Sequence, residues 1–239
     1  MKYAVLLLAL IFAGVATPSM AQKAKPTGQV PQLESVRDID GNRYEIVKIG
    51  SQYWFKSNLK VSKYRNGESI PTGLNDSAWE NTTFGAYAVY KDEQKKLYNH
   101  YAATDSRGLC PTGWHPPSDR EWNILVKYLD PDADTACSDC KQSSIAGGAL
   151  KSTATKPTSG GWASPNTGAT NSSGFTALPG GLRYNFGDFD YMSIGGYWWS
   201  SSVSSGSTAS NRYLSSNFSY FGRTSDFHSY GFSVRCCRD

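Results

Sequence analysis

Five cysteines, three histidines and one crowded run, GLCPTGWHPPSDREW at 108–122, are the parts of this chain whose residue types could do chemistry. The run holds Cys110, Trp114, His115 and the acids Asp119 and Glu121, so acid–base work is the first chemistry to weigh. Its spacing argues for architecture instead. Ser118 stands before a helical pattern and Glu121 follows three residues later, a capping box that satisfies free backbone N–H groups at a helix start. Asp119 and Glu121 also favour the positive end of the helix dipole. Trp122, Leu125, Val126 and Leu129 recur at i, i+3, i+4 and i+7, with Pro117 placed to staple against Trp122 and Asp130-Pro131 to stop the chain. A helix over about 118–129 follows, and the acidic pair belongs to its beginning.

Cysteines outside the cytoplasm are mostly oxidised, and five of them leave one beyond any pairing within the chain. Cys236 and Cys237 are consecutive on a predicted strand and therefore point to opposite faces. One of them can staple to Cys110, while the other faces away. Cys137-x-x-Cys140 has redox spacing, but a reactive thiol needs cations or a helix start, and its neighbours here are Asp134 and Asp139. A local disulfide within that loop is the expectation. Oxidation also competes with a zinc site built from this pair with Cys237 or His228. His100, His115 and His228 are scattered, and no strand–turn–helix nucleophile motif accompanies them. His115, between Trp114 and two prolines, reads as a packed side chain. No catalytic residue is assigned, and enzymatic activity is not expected.

Binding residues are easier to nominate. In GYWWSSS, 196–202, Tyr197 and Trp199 share one strand face and Trp198 takes the other. Whichever ring faces outward is expected to stack on a sugar or a protein partner. Asn166 and Asn217, in polar loops, are candidates to add hydrogen bonds. Asn166, Asn171 and Asn217 with Asp188 or Asp190 contain calcium-type oxygens, yet no compact Asp-x-Asp-x-Asp spacing gathers them. No cofactor or metal is expected.

These residues need a scaffold and a compartment. MKYAVLLLALIFAGVATPSMAQ has one Lys, an apolar run from Tyr3 to Val15 and small residues at Ser19 and Ala21. That is the build of a signal peptide over 1–21, and its apolar run is too short to span a bilayer comfortably. Residues 22–34, QKAKPTGQVPQLE, read as an exposed leader, and folding starts near Ser35. Loss of Lys2 lowers the net charge from +4 to +3, too little to draw nucleic acid or an anionic membrane. After cleavage no membrane span remains, and a secreted, periplasmic or outer-surface destination follows. Aromatic residues make up 13 % of the chain, enough to build a core from large rings.

Asp40-Gly41 suits a tight hairpin turn, with two or three short antiparallel strands over 36–60. Residues 62–83 read as a long loop with one helical turn at DSAWEN. GAYAVY (85–90) and YNHYAA (98–103) are candidate strands, and IAGGALK is a short helix or strand. Further strands are expected near 175–184, 196–202, 211–221 and 230–237.

VRDIDGNRYEIVKIGSQYWFKSNLK, LCPTGWHPPSDREW, SPNTGATNSSGFTALPGGLR, GYWWSSS and GFSVRCCRD occur in this order. Together they resemble the Fibrobacter succinogenes major paralogous domain of secreted and surface proteins, over about residues 35–239. That pattern is similar to C-type-lectin-like domains, including the formylglycine-generating branch. The resemblance implies a single α+β domain with a twisted antiparallel sheet, one main capped helix and long loops. It also implies that Cys110 and Cys236 are a matched pair, with Cys137, Cys140 and Cys237 as additions. Formylglycine-generating enzymes separate their late cysteines by several residues, whereas Cys236 and Cys237 are adjacent, so that activity is not carried over. Ser164-Pro165-Asn166 lacks the first carboxylate or amide of the sugar-binding calcium loop. The reading that follows is a secreted or surface non-catalytic module for a glycan or protein, with an enzyme or a structural subunit of a surface assembly as alternatives.

Overall fold

The computed structural model describes residues 1, 35–90 and 95–238, and the account concerns the compact unit that begins at Leu33. The expected signal peptide and leader, 1–34, lie outside the described residues. The first strands are β1 (Ser35–Arg37), β2 (Arg43–Ile49) and β3 (Gln52–Phe55), followed by α1 (Asp76–Glu80), β4 (Tyr87–Val89), β5 (Lys96–Tyr98) and α2 (His100–Ala103). Among the described residues the longest helix is α3 (Asp119–Leu129), and β6 (Cys140–Ser143) and α4 (Ala146–Leu150) follow it. The remainder is β-rich: β7 (Gly180–Arg183), β8 (Phe189–Met192), β9 (Gly195–Ser205), β10 (Thr208–Ser215), β11 (Phe221–Phe227) and β12 (Cys237–Arg238). The fold is thus mostly β-sheet with a few short helices.

Strands pair into a sheet of order β1-β2-β3-β12, a larger one of order β6-β11-β10-β9-β7-β8, and a β4-β5 ribbon. The β1–β2 turn forms at Asp40-Gly41, where Gly41 donates to the Asp38 carbonyl and the Asp38 carboxylate accepts from Asp40, Asn42 and Tyr44. The carboxylate takes the place of a partner strand for backbone donors that a tight turn would orphan.

Helix α3 begins as its sequence dictates. The Ser118 hydroxyl accepts from the Glu121 N–H, and the Glu121 carboxylate accepts from Ser118 in return. Trp122, Leu125 and Val126 are buried against Trp198, Leu214 and Phe221 of the large sheet. A second tie is electrostatic. Asp119 accepts from the buried Arg212 at 3.0 Å and from Arg223 at 2.9 and 2.8 Å. Paired charges and a forked guanidinium make such burial tolerable.

Register assigns the sheet's two faces. Tyr197 lies opposite Tyr213, and Tyr213 opposite Gly222, while Trp198 lies opposite Arg212 and Arg212 opposite Arg223. The second row faces α3. The first row faces away from it, where Trp199 and Phe232 join Phe55, Tyr98 and Leu182 in another core. Both faces of β9 are therefore covered at Trp198 and Trp199.

Three sequence expectations change. YNHYAA is not a strand: Asn99 caps α2 by accepting from Ala102 at 2.9 Å, and a single strong cap outweighs a short run of strand formers. Strand structure near 175–184 is confined to β7, with Ala177 making one bridge to Lys151. The segment 230–237 is not one strand either. Gly231 bridges to Arg183, Phe232 to Tyr98, Ser233 to Trp198 and Cys237 to Trp54, so this stretch connects all three sheets. Arg235 is buried within it, donating to the Phe55 carbonyl and to Asn58. Disulfides join Cys110 to Cys236 and Cys137 to Cys140.

Candidate functional site

The face of the large sheet turned away from α3 carries an open row of rings. Tyr197 on β9 and Tyr213 on β10 are cross-strand neighbours, with centroids 6.3 Å apart and planes within 24°. Two glycines make the row possible. A Cβ on Gly222, opposite Tyr213, would lie 2.2 Å from ring atoms of Tyr213, and one on Gly195 would lie 2.7 Å from the Tyr197 ring. No other residue leaves the rings room to lie against the backbone there.

Tyr191, from β8, packs its ring 5.9 Å from Tyr197, and Tyr184 meets Tyr230 edge-on at 5.8 Å. With Leu182, Thr224, Asp226 and Asp139, these five tyrosines line a hollow of about 310 Å³. Tyr191 reaches its place through a left-handed backbone, φ +58°. A bulky aromatic residue rarely adopts that conformation, and such outliers cluster at ligand sites.

The hollow is rich in phenol hydroxyls and carries two carboxylates and no cationic side chain. Burial, then the neighbouring Tyr191 and Asp190, push the Tyr184 phenol up to about 12. Burial raises Tyr197, Tyr213 and Tyr230 as well. These four phenols thus keep their protons near neutrality and can both donate and accept. Asp226 is raised by burial and by Asp139, against the opposing hydrogen bond from the Asn211 amide at 2.8 Å. The lining residues contain no cysteine, histidine or lysine. Ring faces accept apolar C–H surfaces, and the phenols and carboxylates accept hydroxyl groups around them.

The sequence matches the Fibrobacter succinogenes major domain over residues 47–238. The chain belongs to this family. The matched span of this Fibrobacter succinogenes major domain takes in α3, the whole large sheet and every tyrosine of the hollow. No curated protein and no solved structure matches the chain. Among the described residues, no helix is long and apolar enough to cross a membrane.

Of the residues nominated from sequence, Tyr197 lines this hollow. Trp198 and Trp199 do not: they are 1 % and 0 % exposed, with their N–H groups on Asn58 and the Tyr98 carbonyl. The expectation of an outward indole is corrected, because a core lies on each side of β9. Asn166 is buried, donates to the Ser152 carbonyl and shapes a turn at φ +48°. Asn217 is exposed in the β10–β11 turn, and neither asparagine lines the hollow. The amide oxygen of Asn171, one of the calcium-type donors, accepts from Thr176 within its own loop.

Tyr184, Tyr191, Tyr213 and Tyr230 were not anticipated as a set. Strand pairing places Tyr191 and Tyr213, and the turns beyond β7 and β11 bring in Tyr184 and Tyr230, although the tyrosine-rich composition is a visible signal. His100 is unsuited to proton transfer near neutrality. It stacks on His228 at 4.7 Å, and burial followed by His228 lowers its pKa to about 4.

Proposed function

We propose that this domain is an exported, non-catalytic binding module on a C-type-lectin-like scaffold, and that it holds a saccharide in the tyrosine hollow. The observation that carries this reading is the ring set: five tyrosines from separate strands and turns around an open space of about 310 Å³. A sugar presents apolar C–H faces edged with hydroxyls, and this lining matches both kinds of surface. Tyr191, Tyr197 and Tyr213 supply stacking faces, while Asp226, Asp139 and Thr224 supply polar edges. The absence of calcium-type spacing in the sequence supports cation-independent binding. The apolar N-terminal run supports cleavage after Ala21 and a secreted, periplasmic or outer-surface destination, where glycans are the abundant partners. The small net charge argues against nucleic acid.

A glycan array with the purified protein, in calcium and in chelator, tests the proposal. Binding is expected under both conditions. Tyr197→Ala or Tyr213→Ala should lower the affinity at least tenfold, about 1.4 kcal/mol. An array without a hit, or a hit untouched by both substitutions, refutes it.

A further inference from the structure

At the start of α3 a second hollow, about 430 Å³, has a different character. Its wall includes His115 and Glu121, and the buried Cys237 lies in contact with His115. The Cys237 Sγ is 3.5 Å from His115 Nε2, and that nitrogen is 2.6 Å from Glu121 Oε1. One donor atom from each residue lies within 4.8 Å of both others.

Each donor is held by a separate device. His115 and Cys237 are backbone partners: each N–H donates to the other's carbonyl, at 3.1 and 2.9 Å. Directly opposed residues place their side chains on the same face. The neighbouring Cys236 turns the other way into its bridge with Cys110, which holds Cys237 toward His115. Glu121 is fixed by the capping box. Its Oε2 accepts from the Ser118 N–H at 2.7 Å and hydroxyl at 2.6 Å, and Oε1 is left aimed at the imidazole.

A cysteine–histidine–acid triad would put the thiol and the carboxylate on different ring nitrogens. Here both approach Nε2, so the three atoms surround one point. We infer that His115, Glu121 and Cys237 form a binding site for a thiophilic divalent transition-metal ion of the zinc class. Imidazole, thiolate and carboxylate are the ligand types such ions take. Metal–sulfur and metal–nitrogen bonds of about 2.3 and 2.0 Å at a tetrahedral angle put S and N about 3.5 Å apart, the spacing found. The His115–Glu121 contact is a hydrogen bond, and must open to about 3.4 Å when an ion replaces the shared proton. His115, 47 % exposed, has freedom to do so. The hollow leaves a fourth position for water.

Binding forms one bond each to S, N and O. The thiol proton leaves to solvent and the Nε2 proton moves to Nδ1 or to solvent, so each ion releases at least one proton. Tag-free protein freed of metal by chelator and dialysis should take up one Zn²⁺ per chain by calorimetry, with heats that depend on buffer ionisation. Co²⁺ should give a sulfur-to-cobalt absorption band. His115→Ala should weaken Zn²⁺ at least tenfold with an unchanged circular-dichroism spectrum, and Cys237→Ser should abolish the cobalt band. If Cys237→Ser fails to fold, His115→Ala decides. No uptake by the unmodified protein, or unchanged affinity in His115→Ala, overturns the inference.

Discussion

The tyrosine hollow and the hollow at the start of α3 are similar in size and opposite in chemistry. The first is lined by five phenols with two carboxylates at its edge. The second gathers a thiol, an imidazole and a carboxylate around one point. Their construction differs in the same way. Tyr197 and Tyr213 come to one side of a sheet because side chains alternate along paired strands, so their row is a by-product of pairing, with Tyr184 and Tyr230 added from adjoining turns. The three donors come from a loop, a helix start and a terminal strand, and each needs its own anchor. A surface for stacking tolerates small errors in ring position, whereas a three-atom site does not.

The largest expected effect falls on the anchor of the second hollow. Cys110 lies in its wall and is tied to Cys236 across 126 residues. Cys110→Ser should lower stability by about 2–5 kcal/mol, read from urea unfolding under non-reducing conditions. Below the unfolding transition, Zn²⁺ affinity should fall while saccharide binding persists. Loss of both together would show that the two hollows share one support.

Next comes acid. Burial alone would raise Glu121, but hydrogen bonds from His115 and Ser118 take its pKa from the ordinary 4.5 down to about 2. The folded state therefore holds the carboxylate charged where the unfolded chain has begun to bind protons. Its stabilisation is complete above pH 4.5 and is lost as pH falls through about 2, amounting to about 1–3 kcal/mol once solvent screening of a part-exposed group is allowed for. Urea midpoints measured across that window should be flatter for Glu121→Gln than for the unmodified protein. An equal acid slope in the variant would remove Glu121 as an anchored charge.

Gly222→Ala addresses the tyrosine hollow alone. The added methyl overlaps the Tyr213 ring, so the ring must leave the sheet. Overpacking of this kind costs about 1–3 kcal/mol. The saccharide affinity should drop by roughly tenfold, with Zn²⁺ uptake unchanged. Retention of full affinity on the glycan array would mean that Tyr213 is not part of the binding surface.

The two hollows were unequally legible in the sequence. Helix α3 could be read in full, because a capping box and an i, i+3, i+4, i+7 pattern are local. That reading also placed Glu121 correctly, at N3. It hid what the neighbouring imidazole meets on its other side, since Cys237 is 122 positions from His115. For β9 the alternation was readable, with Tyr197 and Trp199 on one face and Trp198 on the other. Which ring meets solvent was not, because alternation separates core from water only when one face is bare. At Trp198 and Trp199 both faces are covered, so the indoles are enclosed while Tyr197, on the same face as Trp199, stays partly open. YNHYAA misled for a related reason: strand propensity depends on pairing, while the Asn99 cap acts within three residues.

The smallest expected effect separates display from packing. Tyr191 occupies a left-handed backbone, which costs an L-residue about 1–2 kcal/mol that glycine does not bear. The residue is 38 % exposed, and its ring packs 5.9 Å from that of Tyr197. If the ring is held there for a ligand, Tyr191→Gly should relieve the backbone while removing a stacking face. Strain relief and lost contact then nearly cancel, leaving stability within about 1 kcal/mol of the unmodified protein, while saccharide affinity falls several-fold. A stability loss of the size seen for emptied cores, above about 2 kcal/mol, would instead make Tyr191 a packing residue. The ligand surface would then shrink to Tyr197, Tyr213 and the Tyr184–Tyr230 edge, which can stack a sugar ring but cannot enclose it.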